Sequence, residues 1–274
     1  MKIRNLFFLA LLIISNWAGA QITDYSVFED KLNFYVANDL GRNGYYDQKP
    51  IAELMGIMAE EVGPEFILAT GDVHHFEGVQ SVNDPLWMTN YELIYSHPEL
   101  MIDWFPLLGN HEYMMLQYLS PDATGIEIRR WNKNGNAPTL AAYLKQKGKV
   151  QQRIIAFLRS IPTYLDIEVA GKRFYMVHGF PSDNVHDEVW TRPTMESENP
   201  IPDCRLIIGH TKVLSLIQPE EKRINHALDL ESRGEHLNIL HAPGFINLDC
   251  GCGYDMPIKA LACLRLEDFQ EFYI

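Results

Sequence analysis

Five short apolar runs in this chain each end in residues that can bind a metal ion. Each run is rich in the β-branched and aromatic residues that favour strands, and a glycine lies within two positions of each polar end. Because the carboxyl ends of strands in an α/β sheet lie at a common edge, these polar groups predict a shared site. Carboxylate, amide and imidazole groups are also ligands that divalent metals accept. The polar ends are Asp39, Asp72, Asn110 with His111, His178 and His210.

The first part of the chain alternates strand and helix patterns. Strands are predicted at Asn33–Asn38, Phe66–Thr70 and Phe105–Leu108. Between them, an amphipathic helix is predicted at Lys49–Val62 and a second helix near Leu86–Ser96. This βαβαβ series predicts a parallel sheet with helices on its faces.

The remainder of the chain predicts a second sheet. Residues 117–149 are polar and lack strand periodicity, so we expect helices and loops that cover the site. A helix at Val150–Ile161 precedes a hairpin pattern at Tyr164–Val177. Two sheets with outer helices make an α/β fold organised as a β-sandwich. Further short strands are expected at Arg205–Ile208, Leu237–His241, Phe245–Leu248 and Leu261–Leu266.

The first 20 residues have the pattern of a secretory signal peptide. Lys2 and Arg4 precede an apolar run over residues 6–15, and Ala18-Gly19-Ala20 forms a small-residue cleavage site. The apolar run is short for a transmembrane span. We therefore expect a periplasmic or secreted protein with no stable membrane insertion after cleavage, and a single domain over residues 21–274. An uncleaved amphiphilic anchor is the alternative.

The charge of the chain argues against nucleic acid as a partner. The formal net charge is −13, and it becomes −15 without residues 1–20, which hold two of the 23 basic residues and none of the 36 acidic ones. Such a charge repels phosphate backbones, which disfavours a metal-dependent nuclease. The four cysteines are interpreted as buried small apolar residues rather than as a disulfide framework, because a chain of 274 residues can form a large core.

The order of these motifs closely resembles that of the calcineurin-like metallophosphoesterases. That family has Asp-x-His or Asp-x-Gly, then Gly-Asp, Gly-Asn-His-Glu or Asp, a lone His, and Gly-His. The resemblance covers roughly residues 33–260 and implies the metallophosphoesterase-type β-sandwich of two mixed sheets flanked by helices. The N-terminal half, with Asp39-x-Gly41 and residues 81–85, resembles purple acid phosphatases. The part from about residue 113 onward, with Trp190-Thr191-Arg192 and Gly209-His210-Thr211, resembles bacterial and phage-type phosphoprotein phosphatases.

The resemblance implies a dinuclear centre that holds two divalent ions, with Mn, Fe and Zn as candidates. Asp72 corresponds to the carboxylate that bridges the two ions in the family. Asn110, His178 and His210 complete the second site with it. The first site would use Asp39, Asp72 and His75, where His75 stands in the place of the tyrosine ligand of purple acid phosphatases.

The same resemblance implies a phosphatase mechanism for phosphomonoesters. His111 corresponds to the general acid for the leaving alcohol, and Arg192 to an arginine that binds the phosphate oxygens. The implied substrate is a phosphorylated small molecule or a phosphoprotein. Other positions depart from the family pattern, so the alternative is a catalytically impaired hybrid that binds metal or phosphate. The departures are Gly41, His75, Phe76 and Lys212.

Overall fold

A computed structural model of the protein describes residues 33–37, 40–41, 44, 48–69, 85–134, 136–251, 256–260 and 262–273. The expected leader and the ligand candidates Asp39, Asp72 and His75 lie outside these ranges, as does Phe76. None of the helices within these ranges has both the length and the apolar character needed to span a bilayer.

The first sheet is parallel, as the βαβαβ pattern predicts. Its strands are β1 (Phe34–Ala37), β2 (Phe66–Ala69) and β3 (Asp103–Pro106), with β2 in the centre and helix α1 (Gln48–Val62) between β1 and β2 in the chain. The third strand begins two residues earlier than expected, because Asp103 pairs with Phe66. The backbone N–H of Leu107 still donates to the Ala69 carbonyl at 2.7 Å, which keeps the ends of β2 and β3 together.

The helix expected near residues 86–96 is broken into shorter pieces. Helix α2 (Pro85–Trp87) continues as a π-helix (Met88–Glu92), and a 3₁₀ turn follows at Pro98–Leu100. The rings of Tyr91 and Tyr95 pack on Trp104 of β3, with centroid distances of 5.6 and 5.1 Å. The wider π turn accompanies this packing. Because Trp104 lies on another element, the sequence of residues 86–96 alone does not predict the break in the helix.

The polar middle of the chain forms helices, as expected. Thr124 Oγ1 accepts a hydrogen bond from the N–H of Glu127, and the Glu127 carboxylate accepts one from the N–H of Thr124. This reciprocal capping fixes the start of the second helix in this region. The helices share an apolar cluster that includes Met114, Trp131 and Leu158. They are α3 (Asn110–Tyr118), α4 (Gly125–Lys133), α5 (Ala137–Leu144) and α6 (Gly148–Ser160).

The second sheet is mixed and has the strand order β4-β5-β6-β8-β7. The predicted hairpin is present, and its turn uses positive φ angles at Ala170 (49°) and Gly171 (71°). The strands are β4 (Tyr164–Val169), β5 (Lys172–Val177), β6 (Arg205–Ile208), β7 (Leu240–His241) and β8 (Ile246–Asn247). The remaining elements are α7 (Val185–Trp190), α8 (Val213–Ile217), α9 (Glu220–Ser232), β9 (Ala262–Leu264) and β10 (Glu271–Tyr273).

The two sheets pack on each other through alternate residues of their strands. Leu68 of β2 belongs to the same buried cluster as Phe174 and Ile207 of the second sheet. Its neighbour Ile67 points to the other face and packs in a cluster with Met55 of α1. The α/β class with two sheets flanked by helices is therefore confirmed.

The turn after β5 places α7 against the sheet with no space for a side chain. A Cβ at Gly179 would lie 2.4 Å from the Glu188 carbonyl oxygen and 3.0 Å from the Val189 carbonyl carbon. Since both are backbone atoms, Gly179→Ala must displace α7. We expect it to lower the free energy of unfolding by about 1–3 kcal/mol, measured by urea denaturation.

Gly148→Ala is the matched control. No atom lies within 4 Å of a Cβ at that position, at the start of α6. This variant should be as stable as the parent protein or more stable by about 0.4–1 kcal/mol. Equal stability of the two alanine variants would contradict the close packing of α7.

Candidate metal centre

Asn110 occupies the first position of α3, directly after the third strand. Gly109 precedes it in an extended conformation, and its N–H donates to Glu112 Oε2 at 3.1 Å. Glu112 thus caps the helix and belongs to the scaffold. The N–H of Leu108 donates to the Pro162 carbonyl at 2.8 Å and ties this segment to the start of β4. The helix start is therefore anchored to both sheets.

His178 follows β5 and is fully buried beside Asn110. Its exposed fraction is 0%, and that of Asn110 is 3%. The Nε2 atom of His178 lies 2.9 Å from Asn110 Oδ1. An imidazole nitrogen and an amide oxygen from opposite sheets thus converge, although 67 residues separate them in the sequence.

His210 reaches the same place from the end of the neighbouring strand β6. The N–H of Gly209 donates to the His178 carbonyl at 3.1 Å, which extends the parallel pairing of β5 and β6. The His210 ring centroid lies 4.9 Å from that of His178. The backbone of His210 has a φ angle of 58°, which is in the left-handed region that residues other than glycine rarely adopt. Such strain is concentrated at functional sites, where the surrounding structure holds it in place.

A buried polar network after β8 holds the loop that carries His210. Asn247 is 0% exposed, and its Nδ2 donates to the Thr211 carbonyl at 2.6 Å. Its Oδ1 accepts from the N–H of Asp249, while the Asp249 carbonyl accepts from the N–H of Val213. No role for Asn247 was predicted from the sequence motifs. The sequence feature that could have identified it is an amide side chain within an otherwise apolar strand pattern, because a buried amide requires a hydrogen-bond partner.

The donor atoms brought together here fit a divalent metal ion. Two imidazoles and one amide oxygen are accepted by Mn, Fe and Zn. Within the described ranges, no three His, Cys, Asp or Glu side chains come together in a group suited to a metal ion. The carboxylates expected to complete the set, Asp39 and Asp72, lie outside those ranges, as does His75.

The two expected catalytic residues occupy different surroundings. His111 follows Asn110 in the first turn of α3 and is half-buried. Arg192 lies two residues beyond the end of α7 and is exposed. Trp190 stands closer to the centre, with its ring perpendicular to that of His210 (88°) and the centroids 6.0 Å apart.

A buried phenol and carboxylate connect β5 to α7. The Tyr175 hydroxyl donates to Glu188 Oε1 at 3.1 Å, and Glu188 is only 5% exposed. Burial raises the pKa of the Tyr175 phenol well above its ordinary value, and the Glu188 carboxylate raises it further. This contact fixes α7, the helix that carries Trp190.

The match of the chain to a family model defines its class as that of the metal-dependent phosphoesterases. The family model described as calcineurin-like phosphoesterase matches residues 32–270. The chain therefore belongs to the calcineurin-like phosphoesterase family.

Within that family the chain is similar to purple acid phosphatases. It is 36% identical over 85 residues to purple acid phosphatase 7 of Arabidopsis thaliana, covering 31% of this chain and 26% of that protein. It is also 36% identical over 86 residues to human tartrate-resistant acid phosphatase type 5, covering 31% of this chain and 25% of that protein. The aligned stretch thus spans about a quarter of the length of each relative.

Two solved structures align over most of the chain. A metallophosphoesterase from Sphaerobacter thermophilus has 16% identity and a TM-score of 0.43, covering 89% of this chain and 87% of that one. A hypothetical protein from Pyrococcus horikoshii OT3 has 14% identity and a TM-score of 0.46, covering 88% of this chain and 87% of that one.

The Asn247 network provides a test of how the His210 loop is held. Asn247→Ala leaves the Thr211 carbonyl and the Asp249 N–H without their present partner in a buried place. We expect a loss of about 2 kcal/mol or more in the free energy of unfolding, together with weaker manganese binding by calorimetry. Asn238→Ala, at an exposed asparagine in the segment before β7, should change neither quantity. Full manganese affinity in Asn247→Ala would contradict a positioning role.

Tyr175 should make the protein sensitive to alkaline pH. Tyrosine in the unfolded chain ionises near pH 10, whereas the raised pKa keeps the folded phenol neutral to higher pH. Above pH about 10 the unfolded state binds fewer protons, so stability falls as the pH rises. Tyr175→Phe should reduce this slope, measured by urea denaturation between pH about 8 and 10.5. An unchanged slope would show that Tyr175 does not control it.

Proposed function

We propose that the protein is an exported, metal-dependent phosphoric ester hydrolase that acts on phosphomonoesters. The observation that supports this best is the convergence of Asn110 Oδ1 and His178 Nε2 at 2.9 Å, with the His210 ring beside them, in a member of the calcineurin-like phosphoesterase family. Three strand or helix ends meet at this point, and each contributes a neutral metal-binding group.

The proposed ligand set combines these residues with three others. Asn110, His178 and His210 would hold one divalent ion, Asp39 and His75 would hold a second, and Asp72 would be a ligand of both. When bound, the ions supply Lewis-acid charge and a water of lowered pKa as the nucleophile. The buried surroundings of His178 and Asn110 keep competing water away from the donor atoms and fix their orientation.

Two residues of the chain act on the substrate itself in this proposal. His111 gives a proton to the leaving alcohol, and its position next to Asn110 in the first turn of α3 keeps it close to the ligand set. Arg192 binds the nonbridging phosphate oxygens, for which a planar guanidinium is well suited. Its exposed position at the end of α7 leaves it accessible to a substrate.

The proposal includes the location and the organisation of the chain. A signal peptide over residues 1–20 would direct a single domain of residues 21–274 to the periplasm or the exterior. The substrate would be a phosphorylated small molecule or a phosphoprotein, because the net charge of −13 disfavours nucleic acid.

Metal content and turnover test the proposal together. Purified mature protein should contain two metal ions per chain and hydrolyse a chromogenic phosphomonoester, with a higher rate after addition of manganese. Failure to hydrolyse any ester in a broad panel of monoesters and diesters, even with manganese, would sink the proposal. About one metal ion per chain without turnover would instead favour the impaired hybrid.

Removing proposed ligands should abolish most of this activity. We expect Asp72→Ala and Asn110→Ala each to lower the rate about a hundredfold or more, and to reduce the metal content, because each removes a donor oxygen. His226→Ala, on α9, is the control for an unrelated polar side chain and should retain the parental rate. An unchanged rate in Asp72→Ala would contradict the ligand set.

A further inference from the structure

A basic and aromatic wall stands beside the candidate metal centre. We define it by four side chains on three helices: Tyr113 of α3, Arg130 of α4, and His186 and Trp190 of α7. The Tyr113 and His186 rings lie 5.8 Å apart between centroids. Three separate helices thus meet at Tyr113, which lies three positions after the ligand candidate Asn110 in α3. Neither Arg130 nor His186 has a role predicted from the sequence motifs.

Arg130 is held in a defined position within this wall. Its Nη1 atom lies 3.5 Å from Nδ1 and 3.4 Å from Nε2 of His186. Its guanidinium carbon lies 5.5 Å from the Trp190 ring centroid, within the range of a cation–π contact. Since the long arginine side chain is already ordered by these contacts, less conformational entropy is lost when it binds a ligand.

Trp190 also connects Arg130 to the candidate metal centre. The same ring that packs on the guanidinium contacts the His210 ring, with 6.0 Å between centroids. The guanidinium carbon of Arg130 therefore lies no farther from the His210 ring centroid than the separations of 5.5 and 6.0 Å combined. The guanidinium and a proposed metal ligand thus contact the same indole ring, which is close enough for one substrate to reach both.

Arg130 forms no ion pair with a carboxylate of the described residues, although Glu127, one turn earlier in α4, is within range of its charge. The pKa of the Glu127 carboxyl is lowered by its hydrogen bonds with Thr124 and, less strongly, by Arg130. The Glu127 carboxylate accepts hydrogen bonds from the N–H of Thr124 at 2.6 Å and from Gln117 Nε2 at 3.0 Å. In an acidic chain of net charge −13, other arginines do form such ion pairs. Examples are Arg173 with Asp166, Arg233 with Asp229, and Arg265 with Asp268.

The wall contains a second polar group, the indole N–H of Trp190, whose hydrogen bond is not satisfied by the described residues. The indole N–H of Trp190 is buried, and no described residue accepts its hydrogen bond. A buried donor of this kind is stabilised by an acceptor oxygen. The wall thus contains a guanidinium without an ion pair and a buried N–H donor without an acceptor among the described residues, and an anionic oxygen is the chemical complement of each.

We propose that Arg130 and Trp190 form a subsite for a second anionic group of the substrate, so that the preferred substrates are phosphomonoesters that carry a second phosphate or a carboxylate. The inference rests on the proposed hydrolase function. Arg192 would bind the reacting phosphate, while Arg130 binds the second anion through its planar fork. The substrate would then span from the metal ligands to α4.

Three substrates with one carbon chain test this subsite. Hexyl phosphate is compared with hexyl phosphates that carry a carboxylate or a second phosphate at the far end, at constant ionic strength with manganese. For the parent protein, kcat/KM should be at least tenfold higher for a doubly anionic compound than for hexyl phosphate. Arg130→Ala should reduce this preference about ten- to hundredfold, mainly through KM, because a charge-assisted contact is lost. The two doubly anionic compounds distinguish a carboxylate from a phosphate as the second group.

Two further variants separate the subsite from a general effect of charge. Arg129→Ala removes the same charge from the adjacent exposed position of α4 and should keep the preference. Arg130→Lys keeps the charge without the fork and should retain part of the preference. Equal losses for all three substrates in Arg130→Ala, or the same loss of preference in Arg129→Ala, would overturn the proposal.

Thermal unfolding tests the subsite without turnover. With manganese present, the doubly anionic compounds should raise the Tm of the parent protein more than hexyl phosphate does, and Arg130→Ala should abolish this difference. Equal Tm shifts in the parent protein would overturn the subsite. The Tm difference without hydrolysis of any of the three compounds would support the subsite and reject the proposed hydrolase function.

Discussion

The apolar layer between the two sheets is the constraint on which the rest of the structure depends. Leu68 from the first sheet and Phe174, Met176 and Ile207 from the second are each at most 2% exposed. Burial of side chains of this size contributes about 1.5–3 kcal/mol each before the entropy of ordering them is subtracted. Because this layer holds the sheets face to face, the ends of their strands meet at one side of the molecule. The candidate metal centre lies where they meet.

Backbone hydrogen bonds convert this packing into a defined geometry. The pairing of β5 with β6 continues through the bond from the Gly209 N–H to the His178 carbonyl, and α3 starts where Leu108 bonds to Pro162. These bonds position Asn110 and His178 for direct contact. The left-handed backbone of His210 is tolerated because the buried Asn247 amide holds the following residue. The site therefore depends on side chains that do not themselves bind metal.

In the proposed function, helices α4 to α6 contribute to substrate recognition and carry none of the proposed metal ligands. Their own core, which includes Met114, Trp131 and Leu158, fixes α4 against α3 and α6. That packing brings Arg130 to α7, where Trp190 contacts both Arg130 and His210. A fold can in this way keep functional groups at its strand ends while the helices that cover them change the substrate that it accepts.

The amino-acid sequence by itself determined the order of strands and helices, the βαβαβ start, and the polar groups that follow the strands. These features are local: apolar periodicity, glycine turns and capping residues act within a few positions of one another. The middle segment was correctly predicted to contain helices for the same reason. The signal peptide, the metal-binding and catalytic roles of all the site residues, and the likeness to phosphoprotein phosphatases stay predictions.

Only the tertiary structure decided which side chains meet. Arg130 and His186 are 56 positions apart, and Asn110 and His178 are 68 positions apart, so no local pattern relates them. The π turn around Tyr91 and the early start of β3 likewise follow from pairing with distant strands. The physical reason is that sheet pairing and burial are satisfied between remote segments, whereas the sequence pattern reports only the preference of each segment for a strand, a helix or a turn.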